Sequence, residues 1–116
     1  MKYKTLDITK YFDEDLLEGK KEVIIKKISF GQIASIRNVV ANVQIINGMS
    51  SAKTDIEKLM TLMVLHGLEK GPVIKTVDKA GLIFNGKDID YVLNLPGELG
   101  TYLFDEINAF NTTSPN

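Results

Sequence analysis

The chain has 116 residues, with 44% hydrophobic residues, 25% charged residues, no cysteine and a net charge of −1. These values are typical of one globular domain, and they exclude disulfides and thiolate metal sites. No segment is basic enough to predict nucleic acid binding, and no apolar run approaches the roughly 20 residues of a membrane span. We therefore expect neither nucleic acid nor a membrane as a partner. "MKYK" is followed by no apolar segment, so we expect no signal peptide and a cytoplasmic location.

The N-terminal quarter of the chain predicts two strands. Leu6 and Ile8 alternate with polar residues, which is the period of a strand with one buried face. The β-branched segment 22–28 predicts a second strand after an acidic loop. We expect the two strands to pair antiparallel, with Lys26 and Lys27 on an exposed edge that these charges protect from other chains.

Two helices are predicted next. Ser29 and Gln32 have the spacing of a capping box, and apolar residues recur at helical spacing as far as Asn47-Gly48. The following segment is apolar around most of its helical circumference, and Gly71-Pro72 is predicted to end it.

This second helix carries two leucines away from its main apolar face. Leu62 and Leu65 lie on the opposite side, among charged residues. A small domain with three helices cannot easily bury every side of two of them. We therefore interpret both leucines as candidate partner-binding residues, and we expect a homo-oligomer or an adaptor for an apolar helix.

Two further helices are predicted near the C-terminus. Asp88 has the position of a cap for a short helix that ends near Leu95, and Pro96 precedes or begins the last helix. The last helix has a wide apolar stripe, most of which we expect to be core. Its aromatic residues are the candidates for reaching a partner: Tyr102, Phe104 and Phe110.

The fold class predicted from these elements is α+β. A small N-terminal two-stranded antiparallel β element precedes a mainly helical body of three to four helices. Residues 1–111 are expected to form a single compact domain, and residues 112–116 a disordered polar tail.

The residues that usually carry catalysis do not form a recognisable set. His66 is the single histidine, and it has no evident nucleophile or second metal ligand at a useful spacing. The acidic residues at 13–15 and the pair Asp88 and Asp90 do not have the spacing of a calcium loop. We expect no catalytic residue, no metal site, no cofactor and no enzymatic activity.

Most of the chain resembles the tail assembly chaperones of long-tailed bacteriophages and proviruses. The resemblance covers about residues 20–111, with "EVIIKKISFGQ" running into a helix, then "LMTLMVLHGL", "NGKDIDYVLNLP" and "ELGTYLFDEINAFN". The residues in the family's C-terminal pattern are Asp88, Ile89, Leu95, Pro96, Glu98, Leu99, Leu103, Glu106, Ile107 and Asn111. Gly100 departs from it, being unusual inside a helix.

The resemblance implies a non-enzymatic role. Proteins of that family bind the helical tape-measure protein, keep it soluble and help recruit tail-tube subunits, and some have a longer frameshifted product. Two other functions stay open. One is a structural tail-completion or connector subunit that remains in the particle, and the other is a small regulatory interaction domain.

Overall fold

The structure is a computed structural model that describes residues 2–47, 52–77 and 80–112, with side chains for residues 2–38, 56–77 and 80–112. In chain order, its elements are β1 (Tyr3–Asp7), a 3₁₀ turn (Thr9–Tyr11), β2 (Leu17–Glu18), β3 (Glu22–Lys26), α1 (Phe30–Asn47), α2 (Ala52–Gly67), β4 (Leu68–Lys70), β5 (Val73–Ile74), α3 (Ile89–Leu93) and α4 (Gly97–Thr112). The predicted α+β class is confirmed, since paired N-terminal strands precede a mainly helical body with four α-helices in the described residues.

The two predicted N-terminal strands pair as expected, but they are part of a larger sheet. β1 and β3 are antiparallel, with Tyr3 opposite Lys26. β4 pairs with the other side of β3, so the strand order is β1-β3-β4. The expected edge position of Lys26 is therefore wrong, because β3 is the central strand. Its ammonium group instead lies 3.4 Å from the carboxylate of Glu69 in the neighbouring strand.

A second, smaller sheet was not predicted. β2 and β5 pair antiparallel, with Leu17 opposite Ile74, and Ile74 also forms a bridge with Leu82. Leu17 and Ile74 are both buried, at 1% and 5% exposure. This sheet ties the acidic loop after β1 to the segment that follows β4.

The predicted helix starts are correct where their side chains are described. The Gln32 N–H donates to Ser29 Oγ and the Ser29 N–H donates to Gln32 Oε1, each at 3.2 Å, which completes the capping box of α1. Asp88 caps α3, because its carboxylate accepts from the Asp90 N–H at 3.0 Å. The predicted stripe of α1 is described at Ile33 and Ile36, and its side chains from residue 39 onward lie outside the described residues.

The core lies between the three-stranded sheet and helices α2, α3 and α4. It consists of these buried residues: Leu6, Ile8, Leu17, Val23, Ile25, Ile28, Val64, Leu68, Ile74, Tyr91, Leu99, Leu103 and Ile107. Tyr91 is fully buried, and its hydroxyl donates to the carbonyl of Pro72 at 2.5 Å. Burial raises the pKa of Tyr91, so this hydroxyl stays protonated as a donor.

α4 continues one residue into the predicted polar tail. Its last residue is Thr112, whose hydroxyl donates to the Asn108 carbonyl at 2.8 Å. The helical state of Thr112 corrects the prediction at that position, and the rest of the predicted tail, residues 113–116, lies outside the described residues.

Candidate functional site

The two leucines predicted on α2 have different exposures. Leu62 is half-buried, whereas Leu65 is only 9% exposed. α2 contacts α1, α3 and α4. Of its described apolar residues, Val64 and Leu65 are buried, whereas Ile56 is 54% exposed. Leu65 consequently offers little surface to a partner, and we leave it out of the candidate site.

The three aromatic residues predicted on α4 are all half-buried and pack against the core. Leu103, which is fully buried, lies between Tyr102 and Phe104 in the helix. Because successive helical residues are about 100° apart, these two rings flank the buried stripe on opposite sides. Each therefore contributes to the core with one part of its ring and to the surface with another.

Phe110 is part of a junction that holds the end of α4 against β3. The Lys27 ammonium lies 4.2 Å from the centre of its ring and donates to its carbonyl. Beside it, Asn111 Oδ1 accepts from the Ile28 N–H at 2.7 Å and Asn111 Nδ2 donates to the Lys26 carbonyl at 3.3 Å. These contacts within the chain give Phe110 and Asn111 a structural role, whether or not a partner also reaches the ring.

Tyr102 lies in an open cleft of about 330 Å³ at the start of α4. Its ring stacks on Tyr11, with centroids 4.7 Å apart and planes inclined by 26°. We call this the acidic aromatic cleft, and its lining residues are Tyr11, Gly97, Glu98, Thr101, Tyr102 and Asp105. The stacked pair forms an aromatic wall of the cleft.

The charges around this cleft are mainly negative. Partial burial of Tyr102 and the negative charge and hydrogen bond of Glu106 raise the pKa of its phenol. Glu98 and Asp105 take part in no ion pair with another described residue. One base is nearby, because the Lys10 ammonium lies 5.7 Å from the Tyr11 ring. An incoming cation would therefore find two carboxylates, those of Glu98 and Asp105, that form no ion pair with another described residue.

A second depression opens between α2, α3 and α4, with a volume of about 180 Å³. We call it the apolar groove, because no charged side chain lines it. Its α2 and α3 side is formed by Met60, Thr61, Val64, Val92 and Leu95, and its α4 side by Gly97, Gly100 and Thr101. The sequence analysis did not predict this groove, because it depends on how three helices meet.

Several exposed apolar residues were also missed. They are Leu16, Phe30, Ile56, Val77, Ile83, Ile89 and Leu93, with exposures between 44% and 100%. Ile89 and Leu93 were detectable, since they are four residues apart on a helix whose start was predicted at Asp88. Tyr91 between them is buried, so this pair lies on the outward face of α3.

A third cleft, of about 340 Å³, lies between the two sheets. Its charged lining residues are two acids and two lysines: Glu18, Glu22, Lys20 and Lys70. Because these charges balance, the cleft favours neither an anionic nor a cationic ligand.

No known protein resolves the choice between these surfaces. No family model, no curated protein and no solved structure matches the chain. In the part of the chain that the structure describes, no helix has both the length and the apolar character needed to cross a membrane. Among the same residues, no three acidic or histidine side chains are grouped as metal ligands.

His66 lies in the last turn of α2, and its environment predicts a pH dependence of stability that can be measured. Burial, and then the positive charge of Lys26, lower the pKa of His66 from its usual value. The unfolded chain therefore binds a proton more readily than the folded chain, so the free energy of unfolding should fall as the pH decreases from 7.5 to 5.5. Above the unfolded pKa of about 6.5, this contribution is fully present.

Replacing the imidazole should isolate that effect. We expect His66→Gln to reduce the slope of stability against pH in this window, measured by urea unfolding at several pH values. A control, Asn108→Gln, changes an exposed amide on α4 and should keep the wild-type slope. An unchanged slope in His66→Gln would show that His66 is not the group responsible.

Proposed function

We propose that this chain acts as a non-enzymatic tail assembly chaperone of a long-tailed phage or provirus, in the host cytoplasm. It would bind apolar helical segments of a tape-measure protein and help to recruit tail-tube subunits. The resemblance over residues 20–111 supports this proposal, and the observation that carries it is the apolar groove between α2, α3 and α4. A helix placed in this groove would remove its own apolar stripe from water.

The exposed apolar residues are consistent with a protein that associates with others. Phe30 is 86% exposed at the start of α1, and Leu93 is 65% exposed on α3. Such residues also support self-association, for which a symmetric dimer is the commonest form. Light scattering over a range of concentrations tests this part of the proposal, and a constant monomer mass would contradict it.

The central test is co-expression with a tape-measure segment. We expect a helical segment of a tape-measure protein to become soluble and to co-purify with this chain. The apolar stripe of the segment would be covered by this chain, so the segment would not aggregate. The matched control is the same segment with its apolar stripe replaced by serine and glutamine, which should not co-purify. Failure of the unmodified segment to bind would contradict the proposed function.

The rival proposal, a structural tail-completion or connector subunit, differs in where the protein is found. A chaperone leaves the assembled tail, whereas a structural subunit stays. Mass spectrometry of purified particles separates the two. Stoichiometric recovery of this chain in the particles would favour the structural subunit.

A further inference from the structure

The acidic aromatic cleft and the apolar groove adjoin across the first turns of α4. Gly97 and Thr101 line both depressions, so they form the ridge between them. We call this combined surface the α4 saddle. A chain that crossed the ridge would have an apolar depression on one side and a negatively charged depression on the other.

The ridge is low because Gly97 has no side chain, and Gly100, which lines the apolar groove beside it, has none either. A Cβ added at Gly97 would have no heavy atom within 4 Å, and one added at Gly100 would meet only the Cβ of Leu95, at 3.8 Å. Neither glycine has a positive φ. The packing and the backbone of the chain therefore do not require glycine at either position, although a glycine inside a helix, as at Gly100, lowers its stability.

The two glycines do have an effect on the outer surface of the helix. Without side chains at positions 97 and 100, the backbone of another helix can approach α4 closely. Close approach increases the contact between two helices that cross. Glycine at position 100 lowers the stability of the helix, and glycine at neither position relieves a steric conflict within the chain. This is consistent with selection for contact with a partner.

The charges of the saddle limit the chemistry of that partner. Glu98 and Asp105 lie in the cleft without an ion pair among the described residues, next to the stacked rings of Tyr11 and Tyr102. The ring of Tyr11 already has the Lys10 ammonium over it, so the two carboxylates are the charges left for a partner. Lysine and arginine are attracted to these carboxylates. An acidic side chain would be repelled at the same place.

We propose that the α4 saddle binds an amphipathic helix that places apolar side chains in the groove and one lysine or arginine in the acidic aromatic cleft. This inference rests on the proposed function, since it assigns a binding surface and a partner chemistry to that activity. The basic side chain fixes the direction and register of the helix, and the apolar side chains provide most of the contact. Selection among helical segments then depends on a positive charge beside the apolar stripe.

The test uses two labelled synthetic helices of about 20 residues, a length at which a helix can form in isolation. They share one apolar stripe and differ only at one flanking position, which is lysine in the first and glutamate in the second. Fluorescence anisotropy measures their affinity for the full chain. We expect the lysine peptide to bind about tenfold more tightly than the glutamate peptide. Equal affinities, or no binding of the lysine peptide, would overturn the inference.

Variants of the chain locate the contact. Asp105→Lys should remove the preference for the lysine peptide, because the new lysine balances Glu98, whereas Asp15→Lys, which makes the same charge change in an exposed loop, should keep that preference. Gly97→Leu should lower the affinity for both peptides at least tenfold, because its side chain would stand on the ridge that a helix has to cross. Its control is Gly31→Leu, because a Cβ at Gly31 also has no heavy atom within 4 Å and lies in the first turn of α1. Circular dichroism verifies that each variant is folded.

The outcomes separate this inference from the function on which it rests. If the tape-measure segment co-purifies equally with wild type, Gly97→Leu and Asp105→Lys, the chain is a helix binder and the α4 saddle is the wrong surface. If the segment binds the wild type and is lost in both variants, with Gly31→Leu and Asp15→Lys unaffected, the surface is correct. If the segment binds no version of the chain, the proposed function itself fails.

Discussion

Leu103→Ala is expected to lower the free energy of unfolding by about 2–5 kcal/mol. Leu103 is fully buried at the middle of the α4 stripe, in the same core as the central strand of the sheet. Truncation removes the transfer free energy of the side chain and leaves a cavity that a core of this size cannot fully close. Urea unfolding followed by circular dichroism measures the loss.

Leu93→Ala is the matched control for this prediction. Leu93 is also a helical leucine, but it is 65% exposed on α3. Its truncation should change stability by no more than about 0.5 kcal/mol, as is usual for surface positions. Similar losses in the two variants would mean that α4 does not form the core described above.

The features predicted correctly from the sequence depend on local rules. The Ser29 and Gln32 pair marks the start of α1, and Asp88 marks the start of α3, because a cap is defined by residues that are close in sequence. The alternation of Leu6 and Ile8 identified the buried face of the first strand region, and both are nearly fully buried. In each case the relevant spacing is that of one turn or one strand.

The features that were missed depend on contacts between distant segments. β4 follows α2 without a loop, and it is a strand because Leu68 pairs with Ile25 of β3. The sequence predicted that the helix would continue to Gly71-Pro72, since a short apolar run does not distinguish helix from strand. The extra strand also placed Lys26 at the centre of the sheet instead of its edge.

In the candidate site, too, the local features were predicted and the contacts between distant segments were not. The sequence identified Tyr102 as lying outside the main stripe of α4, because that follows from helical geometry. It could not identify Tyr11 as its stacking partner, since the two residues come from opposite ends of the chain. The surplus of apolar residues on α2 was interpreted as a partner surface, yet at Leu65 that surplus is buried within the chain.

Gly100 and Gly67 appear equivalent in the sequence, but their surroundings predict opposite effects of the same substitution. Gly100→Ala should stabilise the protein by about 0.5–1 kcal/mol, because alanine favours the helix and its Cβ meets only one atom, at an ordinary distance. Gly67→Ala should destabilise it by about 1–3 kcal/mol, as overpacking of a core does. Thermal or urea unfolding of the two variants in parallel measures both signs.

The difference comes from the contact between the ends of α2 and α4. A Cβ at Gly67 would lie 2.4 Å from Cγ2 of Ile107. That methyl group cannot rotate away easily, because Ile107 is fully buried and a β-branched side chain in a helix has one strongly preferred rotamer. Either the isoleucine leaves its rotamer or the two helices separate, and both disturb the core.

A double-mutant cycle tests whether this single contact is responsible. Ile107→Ala alone should lower the free energy of unfolding by about 2–5 kcal/mol, because it leaves a cavity beside Gly67. In the Gly67→Ala/Ile107→Ala double variant, the methyl group at position 67 occupies part of that cavity and no longer meets Cγ2. The double variant should therefore be more stable, by about 1–2 kcal/mol, than the sum of the two single losses predicts. Simple additivity would show that α2 and α4 do not meet at these two residues.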